Sequence, residues 1–137
     1  MDNAGERPLV AVVDDNAALR EAVESLLRSA GFAARGFESA EAFLGAGAGT
    51  CTDCLILDAR LPGMSGPALH MRLRADGDRI PVIFISAHEV SGEAAARALQ
   101  EGAIAFLRKP FPDGDLLDAL RRALARRAPR SVFRRQT

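Results

Sequence analysis

Short, continuous apolar runs alternate along the chain with longer stretches whose apolar residues recur every three or four positions. The first run, LVAVV from Leu9 to Val13, is rich in β-branched residues and halts at two aspartates and an asparagine. A run of this kind suits a strand buried on both faces. Leu19, Val23, Leu26, Leu27 and Ala30 then share one side of a helix, and Gly31 supplies its stop. FAARGF (Phe32 to Phe37) reads as a weaker second strand, and Ser39 as the N-cap of a short helix carrying Ala42, Phe43 and Leu44. The loop GAGAGTCTD lacks the lysine and register of a phosphate-binding loop and reads as a plain connection. CLILD (Cys54 to Asp58) is the third strand, again stopped by an aspartate, and RLPGMSG is a turn signal. A helix with Ala68, Leu69, Met71 and Leu73 follows and ends near Asp76. PVIFIS (Pro81 to Ser86) is the fourth strand, and Ser91 can cap a helix through Leu99 that Gly102 closes. AIAFL (Ala103 to Leu107) is the fifth strand. Pro112 then stands at an expected first helical position, and Leu116, Leu117, Leu120 and Leu124 carry the last helix.

Five strand-then-helix units in a row predict an α/β fold with a parallel sheet and helices on both faces. Right-handed crossovers make it doubly wound, and the flavodoxin-like strand order 2-1-3-4-5 suits five units of this size.

Composition narrows the picture. At 137 residues and 48% hydrophobic content the chain is one domain, long enough to bury a core without disulfides. We expect a short lead at 1–7, the domain at 8–127 and a basic tail at 128–137. Net charge is zero, so no overall field draws the molecule to nucleic acid or membrane. The N-terminus has no apolar segment resembling a signal peptide, and no run is long enough to span a bilayer, so a cytoplasmic location is expected. Arginines crowd the segment from Ala119 to Thr137, which holds no acid. Without interleaved aromatics apart from Phe133, and without a helix-turn-helix pattern, it reads as a solvated helix end and disordered terminus rather than a DNA-binding surface. The start of a linker to an output domain is the other reading. The pair Cys51 and Cys54 lacks two further ligands at zinc spacing; Cys54 is expected in a buried strand and Cys51 in the loop before it.

Candidate chemistry gathers at the strand ends. In open α/β sheets ligands bind at the carboxyl edge. Asp14 and Asp15 end the first strand, Asp58 the third and Ser86 the fourth, and Lys109 follows the fifth. Lys109 is the only lysine among 18 basic residues. Clustered carboxylates repel one another, and a divalent cation removes the conflict; an all-oxygen set favours Mg²⁺ with phosphate oxygens as further ligands. A lysine and a hydroxyl can hold a transferring phosphoryl group, and a carboxylate can be its nucleophile.

VVDDN, LILDARLPGMSG, FISAH and FLRKPF together resemble the motifs of receiver domains of two-component response regulators. The resemblance spans about residues 8 to 127, nearest to receivers that precede helix-turn-helix outputs. It implies that Asp58 is the phosphoacceptor and that Asp14 and Asp15 bind Mg²⁺, Asp15 directly and Asp14 more often through water, with the backbone carbonyl of Arg60 completing the protein ligands. It implies that Ser86 is the switch hydroxyl, that Lys109 pairs with the phosphate, that Phe106 holds the switch aromatic position, and that Lys109–Pro110 is a cis peptide. The implied partners are a histidine kinase or phosphotransfer protein and a second copy, through the face of the fourth helix, fifth strand and fifth helix. Arg60 and His88 fall at positions that flank the attacking water in the family. The domain is expected to catalyse only its own phosphorylation and dephosphorylation, not to be an enzyme on other substrates.

Phe106 departs from a tyrosine at the switch position, and a phenyl ring cannot donate a hydrogen bond, so a switch driven by packing is expected. The helix from Ser91 is rich in alanine and poor in bulky groups, which predicts weak local stability. Rival readings fare worse. An aspartyl phosphatase needs a cap and a second acid, a flavin module wants Trp or Tyr at the strand ends, and a scaffold that has lost phosphorylation would not need the complete acidic set.

Overall fold

A computed structural model describes residues 7–47, 51–87 and 92–126. Five strands and five helices alternate: β1 (Leu9–Val13), α1 (Ala17–Ser29), β2 (Ala33–Phe37), α2 (Ala40–Gly45), β3 (Cys54–Asp58), α3 (Gly66–Ala75), β4 (Val82–Ser86), α4 (Gly92–Gln100), β5 (Ala105–Arg108) and α5 (Asp113–Arg126). The strands form one parallel sheet in the order β2-β1-β3-β4-β5, as the sequence predicts. No helix among the described residues is long and apolar enough to cross a membrane.

The caps follow from residue chemistry. Asn16, Ser39 and Ser65 each lie in extended backbone, and each side chain accepts an amide from the first helical turn. Gly31 takes φ +98°, a conformation other residues rarely adopt, and turns the chain from α1 into β2. Asp113 and Asp115 in the first turn of α5 and Arg126 in the last match the helix dipole.

Alternation along the strands sorts the core into two layers. Val10, Val12, Ile56, Ile83 and Ile85 pack under α1 and α5 with Val23, Leu27, Leu116 and Leu120. Val13, Leu55, Leu57 and Phe84 pack on the other side with Phe37, Phe43, Leu69 and Leu73. Full burial of each Leu, Ile or Phe contributes about 1.5–3 kcal/mol.

Several boundaries differ from expectation. The fifth strand runs from Ala105 to Arg108 rather than from Ala103 to Leu107, because Ala103 donates its amide to Ala98 of α4 while Arg108 pairs with Ser86. Pro112 stands just before α5 rather than in its first position, its carbonyl accepting from Asp115. Met71 lies 47% exposed, on the outer side of α3. Cys54 is buried in β3 and Cys51 is exposed before it, and the two are not joined in a disulfide. The expected Ser91 cap, His88 and the tail beyond Arg126 lie outside the described residues.

Candidate functional site

The carboxyl edge of the sheet is held by hydrogen bonds that continue the strands by one residue. Asp14 donates its amide to Phe37 of β2 at 3.1 Å, Ala59 donates to Ile85 of β4 at 2.9 Å, and Lys109 donates to Ser86 at 2.8 Å. Main chain therefore fixes the positions of the residues that carry the chemistry.

One carboxylate oxygen each from Asp14, Asp15 and Asp58 lies within 4.8 Å of the others. Asp14 and Asp58 are buried and Asp15 is exposed. The Lys109 ammonium sits 2.9 Å from Asp14 Oδ2 and 3.5 Å from Asp58 Oδ2. The lone lysine thus reaches from β5 to the ends of β1 and β3. Three clustered carboxylates beside one ammonium leave a formal surplus of two negative charges, which a divalent cation would balance. Burial pushes the Asp58 carboxyl above its ordinary pKa, and the nearby Asp14 charge adds to this; the Arg60 amide and Lys109 oppose it.

A family model for the response regulator receiver domain matches residues 10–121. The chain belongs to this family. Response regulator protein TmoT of Ectopseudomonas mendocina is 44% identical over 121 residues, covering 87% of this chain and 54% of that protein. Transcriptional regulatory protein TdiR of Thauera aromatica is 40% identical over 121 residues, covering 88% of this chain and 53% of that protein. Among solved structures, response regulator StyR superposes with a TM-score of 0.81 at 43% identity, covering 95% of this chain and 65% of that one. FixJ-N superposes with a TM-score of 0.79 at 33% identity, over 88% of this chain and 96% of that one. The chain spans about half the length of the curated relatives it matches. A receiver domain is a signalling component, the class to which the four motifs point.

Within this receiver domain the remaining candidates lie around the cluster. Ser86 is fully buried at the end of β4, one residue beyond Ile85, the register partner of Asp58. Phe106 of β5 is half-buried, pairs in register with Phe84 and stacks on its ring at 5.8 Å with an interplanar angle of 28°. Arg60 is exposed, and its amide donates to Asp58 Oδ1 at 2.9 Å. The Lys109–Pro110 peptide is cis.

Three supporting residues escaped the sequence reading. Asn16 donates its amide to Asp14 Oδ1 at 2.9 Å while its side chain caps α1, tying the acid to the helix start. An asparagine just before a periodic helix is the signal that could have found it. Arg20, one turn into α1, donates to the Asp14 carbonyl at 2.7 Å, and nothing in the local sequence marks it. Gly66 starts α3 hard against β3: a Cβ there would run into the Asp58 carbonyl and come within 2.9 Å of the Ala59 Cα. The second glycine of PGMSG is therefore what lets α3 begin directly behind Asp58.

Proposed function

We propose that the domain is a phosphorylation switch in which Asp58 accepts a phosphoryl group from a histidine kinase or phosphotransfer protein. The observation that carries this reading is the triad of carboxylates from β1 and β3 facing the chain's only lysine. Asp14, Asp15, Asp58 and the Arg60 carbonyl are the groups that would hold Mg²⁺. When bound, a divalent cation offsets the repulsion between these carboxylates and the incoming phosphoryl oxygens.

The residues of the chain supply the rest. The Arg60 amide holds one oxygen of Asp58, which orients the carboxylate. An oxygen of Asp58 attacks phosphorus, and an acyl phosphate O–P bond forms as the P–N bond to the donor imidazole breaks. The imidazole keeps the electron pair and takes up a proton. Lys109 neutralises a phosphoryl oxygen, a task suited to a compact ammonium on a long stem. Beside Lys109 an open cleft of about 350 Å³, lined by Leu19, Val23, Leu26, Pro110 and Phe111, offers the donor an apolar seat next to the site. Ser86 then draws toward the phosphoryl group and Phe106 repacks, favouring one of two pre-existing conformations. The surface of α4, β5 and α5 is the output face, and a second copy is the partner it takes.

Intact mass after incubation with acetyl phosphate tests the chemistry. A single phosphoryl adduct is expected in Mg²⁺, none in EDTA and none for Asp58→Ala. A folded protein without any adduct would sink the switch and favour a phosphorylation-independent scaffold.

A further inference from the structure

The buried side of α3 is made by Gly66, Leu69, His70 and Leu73. An imidazole is an odd choice there, since burying a polar ring carries a cost that leucine would avoid. His70 is only 4% exposed. Its ring stands edge-on to Phe84, with centroids 5.6 Å apart and an interplanar angle of 71°. The ring of Phe84 in turn stacks on Phe106. Three rings from α3, β4 and β5 therefore touch in series, and Phe84 lies two residues before Ser86 on the same side of β4. Phe84 is 1% exposed, so its ring yields only if a neighbour yields.

We propose that His70 is a positioning residue for the switch ring at Phe106, acting through Phe84. The proposal rests on the switch role of Phe106 and adds an element that the family motifs do not contain. The charged groups that act on His70 are Arg74, one turn along α3, and Glu101, just after α4; β4 and β5 present it with the series of rings. Burial holds the imidazole below its usual pKa, Arg74 acts in the same direction, and Glu101 opposes them. Arg74 also donates to the Glu101 backbone carbonyl, so the two residues that set the charge around His70 tie α3 to the end of α4. A shift of Phe106 or of the end of α4 must change the surroundings of His70. By reciprocity the state of His70 must bias that shift.

The experiment is an NMR titration of the histidine ring signals in the full chain, free and with beryllium fluoride plus Mg²⁺ as a phosphoryl mimic. The chain has two histidines, and a His70→Gln variant assigns the pair. The expected result is a change of about fivefold or more in the proton affinity of His70 on adding beryllium fluoride, with the Phe106 ring signals following the same titration. Phe106 signals that move while the His70 titration stays fixed would overturn the proposal. In a second arm, His70→Leu keeps an apolar filler but removes the ring edge. It is expected to displace the Phe106 signals in both states and to leave the Asp58 adduct forming in full. Phe106 signals identical to wild type in that variant would also overturn it. If beryllium fluoride produces no change around Asp58 in the wild type, the switch reading itself fails, and this proposal with it.

Discussion

The two sides of the sheet are built from different materials. Under α1 and α5 the buried side chains are aliphatic apart from Cys54, with the rings of Phe32 and Phe111 packed only at the margin, and α5 alone buries Leu116, Ala119, Leu120 and Ala123. Under α2, α3 and α4 lie Phe37, Phe43, Phe84 and the imidazole of His70, with Phe106 packed against them, and α4 contributes just Ala98 to the buried set. Strand alternation links this contrast to the site. Asp58 follows Cys54 and Ile56 on the aliphatic side of β3, and Asp14 follows Val10 and Val12 in the same phase. Ser86 follows Val82 and Phe84 on the aromatic side of β4, and Phe106 belongs there too. The acids that need a fixed geometry are thus backed by closely packed branched chains. The groups proposed to move are backed by flat rings that can slide, beneath a helix with few anchors. Rigidity for chemistry and compliance for response are separated by the thickness of one sheet.

Substitutions can break this contrast or sharpen it. Phe84→Ala removes the ring that links α3 to β5. It is expected to cost about 3–5 kcal/mol in urea unfolding, and the surviving folded protein should lose the response of Phe106 to phosphorylation. Leu120→Ala on the other side is expected to cost about 2–5 kcal/mol, with that response intact. A Leu120→Ala protein that folds but no longer switches would erase the distinction between the two sides.

Gly66→Ala forces a methyl group into the backbone behind Asp58. Such overpacking costs about 1–3 kcal/mol, and the phosphoryl adduct should form more slowly per folded molecule, which timed intact mass would reveal. Asp58→Asn should have the opposite sign for stability. Burial first, and the Asp14 charge with it, raises the Asp58 pKa above its unfolded value. The group therefore favours the fold at pH below the ordinary carboxylate range, and that contribution is lost as pH rises through the folded pKa. Near neutral pH the neutral amide should raise the melting temperature, and Mg²⁺ should narrow the gap by stabilising the wild type alone. At the small end, Leu99→Ala on α4, 46% exposed, should stay within about 0.5 kcal/mol of wild type. Hydrogen exchange should show α4 amides opening well before those of α5.

Most of the fold was legible because β1, β3 and β4 are continuous apolar runs, which admit few assignments other than buried parallel strands. The fifth strand was displaced because its last residue, Arg108, is polar and its expected first residue, Ala103, closes α4, so hydrophobicity marks neither end. Asp14, Asp58 and Lys109 were legible because the carboxyl edge of such a sheet is one place, and strand ends name its occupants. Their supports were not. Arg20 reaches the Asp14 carbonyl and Gly66 abuts β3 through tertiary proximity alone. Nothing in the sequence singled out His70; its place beside Phe84 depends on which side of α3 faces the sheet.

The solitary lysine has a practical consequence. Its side chain is 11% exposed and lies against two carboxylates, so the site carries its own spectroscopic tag. Reductive methylation with ¹³C-formaldehyde would place labelled methyl groups at Lys109 and, apart from the chain's α-amino group, nowhere else in these 137 residues. A single resonance could then follow cation binding, phosphoryl arrival and its hydrolysis in real time, without any engineered residue.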